Sequence, residues 1–172
     1  MKPRTFAPTE PAGQILRDWW LGLKEDRGGR AELRRARSPD DAALIPAAIA
    51  LATRLRGTAV EGHGGWAARI PAIAGLAAHL DPNAEAAVLH DDTPLPERMA
   101  CAKGDRPVVS ERRFRRLLRL ERDELYRPMI RVLALLDGRA NLFELADALF
   151  WWGPRLKKDW AYAYFPKLPQ TA

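Results

Sequence analysis

Arginines recur through the stretch Ser110–Arg122, SERRFRRLLRLER, at spacings that align them along one side of a helix. At about 100° per residue, Arg112, Arg115, Arg116, Arg119 and Arg122 form an arc, with Arg113 and Leu120 at one border. Opposite them fall Phe114, Leu117 and Leu118, joined by Leu125 from the following turns. A guanidinium is planar, permanently charged and carries its N–H donors in a fork that matches a phosphate. This residue type in this pattern therefore points to contact with a polyanion, not to bond-making. Each i,i+4 pair, such as Arg112 with Arg116 or Arg115 with Arg119, repels by roughly 0.2–0.5 kcal/mol, and Glu111 and Asp123 offset only part of that. A bound polyanion would recover the loss; a solvated basic face is the other reading of the same residues.

A second cluster, Arg27, Arg30, Arg34, Arg35 and Arg37, faces a single acid, Glu32, in RGGRAELRRAR. Arg30, Arg34 and Arg37 share a helical stripe. A third basic group, Lys157 and Lys158, opens the last helix, where alternation with aromatics could stack unpaired bases. Helical spacing places Trp160 in the core instead and leaves the lysines for contact.

Other chemistry is poorly supplied. His63, His79 and His90 have no ligand spacing, and His90, Asp91 and Asp92 are consecutive residues in a proline-rich segment, whose side chains diverge. Ser38 and Ser110 are the only serines, and both read as helix caps. There is no phosphate-binding loop, dinucleotide fingerprint or zinc spacing, so neither catalysis nor a metal or other cofactor is expected.

The elements that would carry these residues are helical throughout. Ile15, Leu16, Trp19, Trp20 and Leu23 give a first helix that buries both indoles. A turn at Arg27, Gly28 and Gly29 leads into the arginine stripe. Ser38-Pro39-Asp40-Asp41 starts a helix whose buried stripe is Leu44, Ile45, Ala48, Ile49, Ala52 and Leu55, with Pro46 as a kink or restart. A glycine loop at 57–65 precedes an alanine-rich helix over Trp66–Leu80. Past Ser110, Pro128 bends or restarts the chain, Gly138 stops it, and Asn141 with Glu144 caps the next helix before Pro154 starts the last. The expected fold is all-α, in two small helical subdomains without a sheet. The expected division is a flexible tail at 1–13, a subdomain at 14–80, an acidic proline-rich linker at 81–107, a bundle at 108–166 and a tail at 167–172.

The 172 residues carry a net charge of +6, which favours an acidic partner. Arginine outnumbers lysine 22 to 6, a bias that GC-rich coding also produces, so the clustering counts for more than the total. No apolar run approaches the roughly 18 residues needed to span a bilayer, the first residues lack a signal-peptide core, and Cys101 is alone. An intracellular soluble protein is expected.

The run Arg27–Arg37 followed by Ser38-Pro39, then SERRFRRLLRLERDELYRPMIRVLALLDG, then a helix ending in tryptophan and a final KKDWAYAYF, resembles the CasB-type small subunit of the type I-E CRISPR Cascade complex. The likeness is best over Ser110–Phe165 and fair over Ile15–Leu55. It implies a non-catalytic, cytoplasmic prokaryotic protein of antiviral defence, present in two copies along the inner side of an RNA-guided complex. Implied partners are the guide RNA, the target and displaced DNA strands, the backbone and large subunits and a second copy of the chain, with no membrane and no small-molecule substrate. The basic positions that the resemblance carries over are Arg27, Arg30, Arg34, Arg35, Arg112, Arg113, Arg116 and Arg119, with Arg139, Lys157 and Lys158 beside them. The rival readings are a stand-alone helical DNA-binding regulator and an interaction protein whose basic face meets an acidic protein or lipid surface. The first would need base-reading Asn or Gln on the exposed arc, which has none.

Overall fold

The computed structural model describes residues 4–170. Ten α-helices follow one another: α1 (Pro11–Gly22), α2 (Arg27–Arg35), α3 (Pro39–Ala43), α4 (Pro46–Leu55), α5 (Trp66–Ala77), α6 (Leu95–Ala100), α7 (Glu111–Leu118), α8 (Tyr126–Leu135), α9 (Leu142–Phe150) and α10 (Pro154–Tyr164). The protein is all-α, as expected. The strands among the described residues are a two-residue pair, β1 (Ala102–Lys103) against β2 (Arg106–Pro107), turning at Gly104.

Helix starts follow the side chains that can cap them. Ser38 accepts from the Asp41 N–H at 3.1 Å, Ser110 from Arg113 at 3.3 Å and Asn141 from Glu144 at 3.0 Å. At α2 the expected turn over residues 27–29 is instead the first helical turn. Asp26 is the cap, accepting from the Gly29 N–H at 2.9 Å, and a Cβ on Gly29 would overlap that carboxylate.

α5 is the central element, packed by α2, α3, α4, α8 and α9, and Ile73 to Ala78 are buried without interruption. Trp19 and Trp20 anchor α1 as expected for core indoles, donating to the carbonyls of Ala47 on α4 (2.9 Å) and Ala77 on α5 (3.1 Å). Gly75 on α5 admits the Tyr126 ring so closely that a Cβ there would overlap the hydroxyl, which is buried without a hydrogen-bond partner. Tyr126→Phe is expected to be neutral or stabilising by up to about 1 kcal/mol. Gly75→Ala should cost about 1–3 kcal/mol, partly restored in the double variant, as urea denaturation can read.

The stripe expected across residues 44–55 is corrected. Helix α3 stops at Ala43 and α4 restarts at Pro46, so the turn between them rotates the register. Leu44 is 81% exposed and Ile49 51% exposed, while Ala47, Ala48, Leu51 and Leu55 face inward.

Segments expected to be peripheral also contribute to the core. Phe6 is fully buried, its N–H donating to Asp147 at 3.0 Å. Residues 81–107 hold buried Val88, Leu89, Leu95 and Met99. The Arg98 guanidinium gathers that segment, donating to the carbonyls of Thr93, Ala87, Asp91 and Arg139. One contiguous apolar cluster joins the two halves of the chain.

Candidate nucleic-acid interface

The arginine arc is shorter than one ideal helix would make it. Helix α7 ends at Leu118 and a 3-10 turn begins at Arg122. Arg122 therefore leaves the arc: its Nη2 donates to the Trp152 carbonyl at 3.1 Å, and burial, then Arg69, lower its pKa. Arg115 is anchored too, paired with Glu111 at 2.8 Å and lying 4.7 Å over the Phe165 ring.

What remains is an exposed row. Arg112, Arg113, Arg116 and Arg119 have no side-chain partner among the described residues. Arg112, Arg116 and Arg119, with Arg115 and Glu111, line a surface groove of about 660 Å³, and Arg113 stands outside it. The opposite face of α7 is locked. Phe114 is fully buried and stacks on Tyr164 with ring centroids 3.8 Å apart, and the Tyr164 hydroxyl donates to the Val109 carbonyl at 2.6 Å. A rigid helix thus holds several unneutralised guanidinium groups toward solvent, which is a surface for phosphate.

The first cluster divides similarly. Arg27, Arg34 and Arg35 are exposed without side-chain partners among the described residues, whereas Arg30 Nη2 donates to the Leu80 carbonyl at 3.1 Å. Burial, then Arg34, lowers the Arg30 pKa, against a pull upward from Asp81. Helix α2 packs on α4 and α5, so its arginines form a patch distinct from the α7 row. Arg139 is exposed beside Gly138, whose φ of +70° and close approach to residues 79–81 suit only glycine. Lys157 is drawn inward, 3.5 Å from Glu121 and 5.7 Å from the Trp152 ring centroid, while Lys158 is exposed.

Against this geometry, the model of the CRISPR-associated protein Cse2 family matches residues 29–165. The chain belongs to the Cse2 family. That span takes in the whole α7 row, Arg139, Lys157, Lys158 and all of the first cluster except Arg27. In fold, this Cse2-family chain is similar to a chain of the crystal structure of E. coli Cascade bound to a PAM-containing dsDNA target. The TM-score is 0.64 at 20% identity, covering 92% of this chain and 96% of that one. No curated protein matches the sequence at a significant level.

Two arginines of α8 extend the first patch of this Cse2 chain and were not singled out from the sequence. Arg127 Nε donates to the Arg37 carbonyl at 3.2 Å, and Arg131, one turn on, is exposed. Their i,i+4 spacing was the available signal, masked by the strong apolar pattern around them. No group of three or more His, Cys, Asp and Glu among the described residues could hold a metal ion, and no helix there is long and apolar enough to cross a membrane.

His79 lies beneath Arg30 and Arg34. Burial first, then those two charges, push it down to about 4 from 6.5, and its Nε2 is buried without a partner. Asp147 is pushed up from 3.8 to about 6 by burial, against the Phe6 N–H, Arg4 and the Thr5 N–H. Between pH 6.5 and 4 the unfolded chain protonates His79 before the folded one does, so acidification costs stability. Between pH 6 and 3.8 the folded chain protonates Asp147 first, so acidification adds stability. The two opposite slopes overlap. His79→Gln is expected to become more stable from pH 6.5 to 4 relative to wild type and Asp147→Asn less stable, read as urea midpoints.

Proposed function

We propose that this protein is a non-catalytic subunit of a type I-E Cascade complex and that its exposed arginines hold the target and displaced DNA strands by their phosphates while the guide RNA pairs. Family membership supports the assignment to a CRISPR system, and the fold likeness to a Cascade chain supports the complex. The observation that carries the nucleic-acid reading is the row Arg112, Arg113, Arg116 and Arg119, open to solvent on a helix locked by Phe114.

R-loop formation exchanges one duplex for another at nearly equal free energy, so backbone contacts of this kind can tip it. Base pairing reads the sequence, and the subunit then needs only phosphate contacts. A second copy of the chain and the backbone and large subunits are the further proposed partners. The test is binding to single-stranded DNA, duplex and R-loop mimics of unrelated sequence across a salt series, with and without the other Cascade subunits. Weak, sequence-independent binding alone and stronger retention in the complex are expected. Tight, sequence-selective duplex binding by the isolated chain would mean a stand-alone regulator instead.

A further inference from the structure

Tyr162, 70% exposed, is the large aromatic side chain most open to solvent among the described residues. It stands on the solvent face of α10 in line with Arg155 and Lys158, at i−7 and i−4. The Lys158 Nζ lies 5.8 Å from its ring centroid. The opposite face of α10 is immobilised by buried Trp160 and Tyr164, so the ring projects from a fixed base.

Its position relative to the arginine groove is also fixed. Phe165 is three residues on, about 4.5 Å further along the helix axis, and its ring carries the Arg115 guanidinium at 4.7 Å. Arg115 in turn lines the groove with Arg112, Arg116 and Arg119. Arg115 therefore links the groove to the end of α10 that carries Tyr162.

Resting on the proposed function, we infer that Tyr162 is a stacking platform for an unpaired nucleobase of the strand held by the α7 arginines. The neighbours of the ring favour a base over an apolar protein surface. The other exposed large apolar side chains among the described residues, Leu44 and Ile49, belong to the α3–α4 region, and the exposed charged neighbours of Tyr162 on α10 are the cations Arg155 and Lys158. An aromatic face flanked by cations suits a base attached to phosphate, and stacking is tolerant of sequence because every base has a π-face.

The test uses the full chain, alone and in the assembled complex, with an oligothymidylate carrying one 2-aminopurine and its duplex form as probes. Wild type and Tyr162→Phe are expected to quench 2-aminopurine in the single strand. Tyr162→Leu and Tyr162→Ala should lose the quenching and bind the single strand about five-fold or more weakly, with duplex affinity unchanged. Wild-type quenching and affinity in Tyr162→Ala would overturn the inference, as would full retention by Tyr162→Leu or an equal loss on duplex. An Arg112→Gln/Arg116→Gln variant separates the two levels. If it weakens binding and the Tyr162 variants do not, only the stacking inference fails. If it keeps full affinity, or the wild type binds no probe in either setting, the phosphate-contact reading fails and the stacking inference with it.

Discussion

Replacing Arg112, Arg113, Arg116 and Arg119 together by glutamine is expected to lower the slope of log affinity against log salt by about 3 and to weaken nucleic-acid binding roughly 10²–10³-fold near physiological salt. Each arginine that neutralises one phosphate releases about 0.7–0.9 of a counterion, depending on whether the strand is single or double. Because these side chains have no side-chain partner among the described residues, their removal leaves no group there unsatisfied. Stability should hold or rise slightly, since the repulsion between Arg112 and Arg116 disappears, worth roughly 0.2–0.5 kcal/mol. Lysine at the same positions should keep most of the salt slope but lose affinity, because an ammonium lacks the bidentate fork. Arg30→Gln is the contrasting control. Its guanidinium serves the Leu80 carbonyl, so the expected loss is in folding stability, with the salt slope little changed. An unaltered slope in the fourfold variant, measured by fluorescence anisotropy across salt, would show that nucleic acid does not cross the α7 row.

Arg98→Met is expected to be the most damaging single substitution for stability, costing about 3 kcal/mol. For a chain of this size that is a fall of roughly 6–12 °C in Tm. The Arg98 side chain is only 12% exposed, and it also pairs with Asp91 at 3.0 Å. Its loss strips donors from the carbonyls of Ala87, Asp91, Thr93 and Arg139 at once. Arg98→Lys should recover little, because three donors on one nitrogen cannot span acceptors arranged for a planar fork. Asp91→Asn should be mild, since that carboxylate is 45% exposed. The damage should extend to binding. Helix α6 packs on α10, and the Met99 carbonyl accepts the Val109 N–H immediately before the Ser110 cap of α7. Thermal denaturation and the salt-series assay on the same variant check both effects, and a Tm within about 2 °C of wild type would refute the assigned role of Arg98.

Much of this was written locally. Ser38, Ser110 and Asn141 mark helix starts because a short side chain can accept the N–H three residues on. Trp19, Trp20, Trp160 and Phe114 announce the core through helical spacing. The clustering of arginine around 112–119 is likewise a property of sequence, since neighbours on a helix stay neighbours whatever the rest of the chain does. The misplaced residues, Leu44 and Ile49, show the limit of that logic. Periodicity assumes one continuous axis, and the break before Pro46 is a backbone event that changes which side faces the core.

Local sequence was enough for the all-α class, the caps at Ser38, Ser110 and Asn141, the inward faces of α1 and α7 and the presence of two arginine clusters. Tertiary structure alone decided which basic side chains remain open to a ligand. Arg30, Arg98, Arg122 and Lys157 are equivalent by type to Arg112 or Lys158, yet each is engaged by a group 11–50 residues away, at Leu80, Arg139 and Ala87, Trp152 and Glu121 respectively. The physical reason is reach. A long flexible cation is drawn to whatever carbonyl or carboxylate the packing leaves unsatisfied, and those acceptors exist only once helices distant in the chain have come together.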